Sequence, residues 1–505
     1  MIKRVLTPGR LRTALLGLVA LAAVSAMVAL LTGLSAVDPI SGHLITVDIL
    51  SAKTLAHLLT QAPATVTAFP PLGIFLLLAL GTAVADRSGL FAALVRGSLS
   101  LMPAALLTPV VILTGYLFHQ ISDALLLVYL PLSGAVFAAR GRDPVLGILI
   151  AFAAFSGGFA ASLGPGIPDI ILLQLTEDAA RSLAPDWRYA LFGNWFILLA
   201  VAGLYAGATW AIADRWLEPR WFPRTPSTAE ARPEAIELQA SLKPAERMAM
   251  IWAGLAALAA ALVFIAVIRW GASAPDGAHD LRAVLTPYFR AMPACLTLVL
   301  LSAGWSYGAV TGTLASPMAV HAAVVDGLTR LAPFILFAIL IALFLSVLHA
   351  SRMDTVLMLS GARTLADAQL APPLILMTIV LVTAALDLLV GSATAKWAVL
   401  APIIVPMLML LGISPDMSTA AFRIGDGALN IVSPLQPWIY LVVLYCRRWR
   451  SGFSLADALR NLAPFSAAYL VLGLMVVGIW SLAEWPVGPF SSFHYDPGRV
   501  ASLSR

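Results

Sequence analysis

Charged side chains are scarce in this sequence. Asp, Glu, Lys and Arg together make up 11% of its 505 residues, whereas a soluble chain carries about 25%. Cysteine is also rare, and the two cysteines, Cys295 and Cys446, border apolar stretches and offer no disulfide framework. These shortages exclude nucleic-acid-binding proteins, disordered scaffolds and secreted disulfide-rich domains.

Catalytic motifs are missing as well. The sequence contains no HExxH, no G-x-S-x-G and no Walker Gly-Lys-Ser/Thr motif. Its nearest approach to an intramembrane aspartyl protease is Gly425-Asp426, but Arg423 stands where such a site carries a glycine. We therefore expect a protein that is not an enzyme. A transporter and a channel are the classes that remain.

Apolar residues are what the sequence has in abundance. Hydrophobic residues make up 60% of the chain and the mean hydropathy is +0.91, and many apolar runs reach the roughly 17 residues that cross a bilayer. This pattern predicts an all-α polytopic membrane protein, in which the first run, residues 14–34, is a retained helix and not a cleaved signal peptide. Because basic residues concentrate in cytoplasmic loops, we predict a cytoplasmic N-terminus and a cytoplasmic 214–247 loop.

The polar 214–247 segment divides the chain into two comparable halves. The predicted parts are a first half (1–213), a cytoplasmic linker (214–247), a second half (248–482) and a periplasmic tail (483–505). Each half contains a break rich in small residues, and the breaks predict re-entrant hairpins at about 150–178 and about 370–400. Broken segments at corresponding places in two halves are typical of inverted-repeat transporters, although small residues also serve ordinary helix packing in lipid.

Ionisable residues inside apolar stretches are functional candidates, because a buried charge there costs at least about 2.5–3.5 kcal/mol. They are Asp123, Asp169, Asp387, Lys396, Arg423 and Asp426. Asp169 follows the first break, and Asp387 and Lys396 flank the second. Arg423 and Asp426 stand at i and i+3 on one helical face, so they either line a polar cavity or neutralise each other in a salt bridge.

Two further side chains allow alternative interpretations. Trp397 follows Lys396 directly and either stacks on an aromatic ligand or packs in the core. His119, close to Asp123, is either a member of a proton relay or an ordinary polar residue at a helix end.

A distinctive series of motifs lies in the second half: GSATAKWAVLAPIIVPM at 391–407, GISP at 412–415 and RIGD at 423–426. This series resembles the signature region of the AbgT family of p-aminobenzoyl-glutamate transporters. Further segments resemble the same family in the same order: 37–50, FPPLG at 69–73, ADRSGL at 85–90, SDA at 122–124 and SGGF at 156–159. The resemblance therefore covers most of the chain.

The resemblance implies a fold and an activity. It implies a homodimer in the bacterial inner membrane, with about nine transmembrane helices and two re-entrant hairpins per protomer. The family's activities are uptake of p-aminobenzoyl-glutamate, a folate breakdown product, and export of sulfonamide antimetabolites. Transport coupled to sodium or to protons is the usual account.

The resemblance also implies the positions of a site. The family's substrate-binding positions fall on Asp169, Trp397, Pro402, Pro406, Arg423, Asp426 and Pro434. Asparagines are usual in the family where this chain has Ser162, Arg352, Asp387 and Gln436, whereas Asn430 is retained. We include Ser162 and Gln436 in the predicted substrate-binding set.

Coupling to a cation is predicted at a second, overlapping set of residues: Asp169, Asp387, Ser392, Asp426 and Asn430. Sodium is the one candidate cofactor, with Asp387 and Asp426 as its predicted ligands. Asp387 either strengthens sodium binding, because hard cations favour carboxylate oxygens, or becomes a protonatable site.

These observations favour a cation-coupled secondary transporter of aromatic or dicarboxylate organic anions resembling p-aminobenzoyl-glutamate. Its partners would be a small organic anion or drug, the lipid bilayer and a second copy of the chain, with no nucleic acid. The first alternative is a proton-driven efflux pump for sulfonamide-type antimetabolites. The second is a channel or a membrane scaffold that transports nothing.

Overall fold

The computed structural model is almost entirely helical. It describes residues 35–37, 44–47, 51–100, 106–222, 242–271, 281–388, 390–434, 436 and 438–495. Two short antiparallel strands, β1 (Ser35–Val37) and β2 (Leu44–Thr46), pair with Ser35 opposite Thr46. The predicted first helix at 14–34 lies outside the described residues.

Helices make up both halves of the chain. In the first half they are α1 (Ala52–Thr67), α2 (Pro70–Ser88), α3 (Leu90–Ser100), α4 (Leu107–Ile121), α5 (Leu126–Ala139), α6 (Pro144–Gly157), α7 (Ile167–Ala180), α8 (Trp195–Ala211) and α9 (Glu218–Trp221). In the second half they are α10 (Pro244–Gly271), α11 (Leu281–Arg290), α12 (Met292–Thr311), α13 (Pro317–Ala350), α14 (Met353–Asp367), α15 (Pro372–Asp387), α16 (Ala393–Leu410), α17 (Pro415–Leu429), α18 (Ile439–Trp449) and α19 (Leu455–Leu482).

Several helices are long and apolar enough to cross a membrane. The described residues contain six such helices, or seven if the segments Ala338–Ala350 and Met353–Asp367, bent by 68°, count as one span. Four shorter apolar helices, α4, α5, α6 and α15, have 10–17 residues and are too short to cross alone at 1.5 Å per residue. The predicted class, an all-α polytopic membrane protein with interrupted helices, is confirmed.

Both predicted interruptions are present. Helix α6 ends at Gly157 and α7 begins at Ile167, after Gly164-Pro165-Gly166, which is poorly suited to continue a helix. Helix α15 ends at Asp387, and α16 begins at Ala393 after its N-cap residue Ser392. We call α6 with α7 hairpin 1, and α15 with α16 hairpin 2.

Both hairpins pack against helix α17. Helix α7 packs against α16 and α17, and α15 packs against α17 and α19. Hairpin 1 is deeply enclosed, since every residue of α6 from Val145 to Gly157 is buried. A helix that is apolar all round belongs in an interior. The interruption of hairpin 1 is therefore buried or half-buried in protein, as non-helical backbone at membrane depth requires. In the interruption of hairpin 2, by contrast, Leu388 and Val390 are exposed.

Helical structure extends into the predicted linker at 214–247. Helix α8 continues through a π-helical turn (Ile212–Leu217) into α9. Arg142 anchors this extension, because its Nε lies 2.8 Å from Glu218 Oε1 and its Nη2 lies 2.6 Å from Asp214 Oδ1. The second half begins with α10 at Pro244, and residues 223–241 lie outside the described part.

Candidate functional site

Helix α17 carries the central polar residues. Ser414 caps it by accepting a hydrogen bond from Met417 N at 3.3 Å, and Pro415 occupies its first turn. Every residue from Pro415 to Ala428 is buried. Gly425 permits this enclosure, because a Cβ there would collide with Val380 and Thr383 of α15. Two charged side chains of α17, Arg423 and Asp426, are therefore completely surrounded by protein.

Arg423 pairs with hairpin 1. Its Nη1 contacts Asp169 Oδ1, and its Nε donates to the main-chain oxygen of Phe159 at 2.8 Å. The guanidinium carbon lies 5.3 Å from the Phe159 ring centroid, within cation–π range. The second oxygen of Asp169 accepts from Gly166 N at 2.9 Å, which caps α7. Asp169 thus fixes both the start of α7 and the orientation of the guanidinium.

One nitrogen of Arg423 remains unused. Among the described residues, Nη2 has no hydrogen-bond partner, although the side chain is fully buried. An unsatisfied buried donor costs about 1–3 kcal/mol, more when it is charged. The arrangement therefore leaves a positively charged donor that an incoming carboxylate would satisfy.

Asp426 pairs with Lys396 of hairpin 2, and not with Arg423. Lys396 Nζ lies 2.6 Å from Asp426 Oδ1 and contacts Asp387 Oδ1. All three side chains are at most 3% exposed. The mutual Arg423–Asp426 salt bridge, one of the two sequence-based interpretations, is not formed. The reason is that docking of the two hairpins provides each residue with a nearer partner of opposite charge.

The two predicted sodium ligands, Asp387 and Asp426, both contact the Lys396 ammonium group, and sodium binding there remains a prediction. Hard cations need several oxygen ligands, but the Lys396 ammonium group stands between these two carboxylates. Asn430 Oδ1 accepts from Gln436 Nε2 at 2.5 Å, and Ser392 Oγ accepts from Ala395 N at 3.4 Å. Within the part of the chain that the structure describes, no group of three or more His, Cys, Asp or Glu is arranged to hold a metal ion.

An aromatic wall lies beside the charged groups. Trp397 is fully buried and stacks on Phe422, with 4.5 Å between ring centroids. Its Nε1 donates to Thr176 Oγ1 at 3.0 Å, and Thr176 Oγ1 lies 2.7 Å from Thr419 Oγ1. One face of Trp397 therefore packs in the core, as one of the two interpretations expected.

Some of these partners could not be found from the sequence. Thr176, Thr419 and Phe422 lie within helices, where threonine and phenylalanine are ordinary residues. Phe159 lies in the interruption after α6, and it contacts Arg423 through its main-chain oxygen and its ring. Lys396 did give a signal, as an ionisable residue beside the second break, although no role was predicted for it.

In the described ranges, the other predicted site residues form no side-chain hydrogen bond or ion pair with Arg423, Lys396 or their carboxylate partners. Ser162 Oγ donates to Gly164 O at 2.7 Å, within the interruption of hairpin 1, and Gln436 pairs with Asn430. Pro402 and Pro406 lie inside α16, half-buried and buried respectively. Pro434 is exposed. Their assignment to a binding site remains a prediction.

Helices interrupted inside a membrane protein, with charged side chains gathered at both interruptions, are the architecture of a secondary transporter. The sequence matches the AbgT putative transporter family over residues 12–495. The chain belongs to that family, and it is a multi-pass membrane transporter.

Individual relatives agree with this assignment. The p-aminobenzoyl-glutamate transport protein of Escherichia coli (strain K12) is 26% identical over 460 residues, 90% of this chain and 89% of the relative. The crystal structure of the Alcanivorax borkumensis YdaH transporter matches with a TM-score of 0.79 and 31% identity, over 95% of this chain and 99% of that one. Neisseria gonorrhoeae MtrF, from a class of antimetabolite efflux pumps, matches with a TM-score of 0.81 and 29% identity, over 95% and 96%.

Proposed function

We propose that this protein is a cation-coupled secondary transporter of aromatic or dicarboxylate organic anions resembling p-aminobenzoyl-glutamate. We further propose that it works as a homodimer in a bacterial inner membrane, with its N-terminus in the cytoplasm. The observation that carries the proposal is Arg423, a buried guanidinium whose Nη2 has no partner among the described residues. A carboxylate of an anionic ligand would supply the hydrogen-bond acceptor that Nη2 lacks.

The contacts of Arg423 suggest how a substrate would be recognised. Asp169 and the Phe159 carbonyl hold the guanidinium plane from two sides. A substrate carboxylate would accept from Nη2, and this charge-assisted hydrogen bond is about twice as strong as a neutral one. Trp397 and Phe422 would supply an aromatic surface for a ring once the side chains that now bury them move aside, since both are fully buried in this structure.

Coupling to one cation would suffice energetically. A monovalent cation crossing 100 mV releases about 2.3 kcal/mol, and a tenfold gradient adds about 1.4 kcal/mol. The total corresponds to an accumulation of roughly several hundredfold. The packing of both hairpins on α17 supports this mechanism. Because Arg423 and Asp426 both belong to α17, a movement that breaks one ion pair would also displace the other.

The second candidate is proton-driven efflux of sulfonamide-type antimetabolites. The observation in its favour is the likeness to MtrF, which belongs to a class of antimetabolite efflux pumps. It shares the site and the fold with the leading proposal and differs in the direction of flux and in the driving ion.

Counterflow in proteoliposomes tests the proposal. With p-aminobenzoyl-glutamate inside, we expect saturable uptake of the labelled compound, because a carrier exchanges substrate across one alternating site. Flux that rises linearly with concentration would instead identify a channel. If none of the tested anions crossed the membrane, the remaining alternative would be a membrane scaffold that transports nothing. Imposed sodium and proton gradients, applied separately, then distinguish the two candidates.

A further inference from the structure

Lys396 occupies the position at which hairpin 2 could otherwise hold a cation. It lies in the first turn of α16, directly across the interruption from Asp387 at the end of α15. Its Nζ contacts Asp387 Oδ1 and stands 2.6 Å from Asp426 Oδ1 of α17. A single ammonium group therefore joins three helices through two buried carboxylates.

We infer that the Lys396 ammonium group is the built-in counter-cation of Asp387 and Asp426, and that sodium does not bind between these carboxylates. The inference rests on the proposed function, because it concerns the cation that would drive the transport. If it is correct, a sodium ion that drives transport cannot bind between Asp387 and Asp426.

Repulsion argues against a sodium ion bound beside the lysine. At a separation of about 4 Å, two like unit charges in a protein environment weaken binding by roughly a thousandfold. Moving the lysine aside is also unfavourable, because its side chain is 3% exposed and its chain neighbours Ala395, Trp397 and Ala398 are buried. A buried ammonium group that left both carboxylates would lose its compensation.

The surroundings reinforce this closed arrangement. Ser433 Oγ donates to the main-chain oxygen of Asp387 at 2.7 Å, which fixes the end of α15. Arg423 is the other cation that acts on Asp426, and it is paired with Asp169 of α7. Two positive charges, from Lys396 and Arg423, thus face the three carboxylates of this region, and Lys396 is the one that contacts both Asp387 and Asp426.

Sodium-dependent thermal stability of the purified full-length protein tests the inference without any substrate. We compare sodium chloride with choline chloride at equal ionic strength. Any sodium effect on the wild-type melting temperature should persist in Asp387→Asn, because the inference excludes sodium only between Asp387 and Asp426. Lys396→Ala removes the ammonium and leaves two carboxylates and a space, so sodium should raise its melting temperature by several degrees, saturably.

Direct binding of radioactive sodium provides the second measurement. Lys396→Ala should bind one more sodium ion per protomer, saturably, than the wild type. The double variant Lys396→Ala/Asp387→Asn leaves one carboxylate and should also bind sodium, which covers the case in which the single variant does not fold. Lys243→Ala is the matched control, since Lys243 is exposed at the start of α10, and it should behave as the wild type.

Two results would overturn the inference. One is saturable sodium binding to the wild type that Asp387→Asn or Asp426→Asn removes, which would show that Asp387 Oδ2 and Asp426 Oδ2 hold an ion beside the lysine. The other is that no folded variant lacking the lysine binds more sodium than the wild type. Neither result depends on transport, so a failure of counterflow would contradict the proposed function and leave this inference standing.

Discussion

Arg423 combines full burial with an incomplete set of hydrogen bonds. Its Nη1 and Nε are engaged by Asp169 and by the Phe159 carbonyl, while Nη2 is unpaired among the described residues. Structural arginines in protein interiors are normally satisfied, because the cost of an unpaired donor is high. We propose that a ligand accepts the hydrogen bond that Nη2 can donate.

Arg423→Lys tests this role of the guanidinium. Lysine keeps the positive charge near Asp169 and loses the planar fork. We expect the affinity for p-aminobenzoyl-glutamate, measured by equilibrium binding, to fall at least about tenfold, equivalent to one lost charge-assisted hydrogen bond. Expression and the melting temperature should stay close to those of the wild type. Unchanged affinity would reduce Arg423 to a structural partner of Asp169.

Asp169→Asn tests the pair from its other side. Asparagine retains an oxygen for Gly166 N but leaves the Arg423 charge uncompensated in the interior. Breaking a buried ion pair in this way costs about 3–5 kcal/mol. We predict a clearly lower melting temperature in a thermal unfolding assay. Asp186→Asn, in an exposed position, is the control, and an equal effect there would argue against a special role for Asp169.

At the residue scale, the sequence predicted members of the site better than their partners. Asp169, Arg423 and Asp426 stood out because charges inside apolar runs are costly. Asp169 and Arg423 pair across 254 positions of sequence, and Asp426 pairs with Lys396 of a different helix. No local pattern encodes such contacts, and the i, i+3 spacing of Arg423 and Asp426 suggested a pair that is not formed.

At the scale of elements, the helix interruptions were predictable because glycine, proline and N-capping residues act locally. The GPG motif at 164–166 separates α6 from α7, and Ser392 sets the start of α16. What could not be predicted is that both hairpins dock on α17. That docking depends on close approaches such as the one at Gly425, which looks like any other glycine in the sequence.

The bend between α13 and α14 leads to a prediction about backbone strain. Arg352 there has φ of 60°, in the left-handed region that favours glycine and asparagine. Arg352→Asn should therefore raise thermal stability by about 1 kcal/mol, a part of the roughly 1–2 kcal/mol that the left-handed conformation costs an ordinary residue. Arg352→Ala is the matched control, because it removes the same charge without relieving the strain. If both variants were stabilised equally, the charge and not the backbone would be responsible.

At the scale of the whole molecule, composition alone was sufficient for the class. Little charge and many long apolar runs leave few alternatives to a polytopic membrane protein. Helix α10 illustrates the reason, since only Ala249, Ala253 and Phe264 of its residues are buried within the protomer. Such an apolar surface suits lipid or a second protomer. Orientation and dimerisation remain predictions, because they depend on a membrane and a partner.

We propose above all that an organic anion binds at Arg423, where hairpin 1 and hairpin 2 both pack on α17. A cryo-EM map of the full-length protein with saturating p-aminobenzoyl-glutamate would show where the ligand lies. We expect ligand density with a carboxylate within hydrogen-bond distance of the Arg423 guanidinium and a ring near Trp397. Ligand density elsewhere in the protein, with Arg423 still paired to Asp169 and no density beside Nη2, would contradict it.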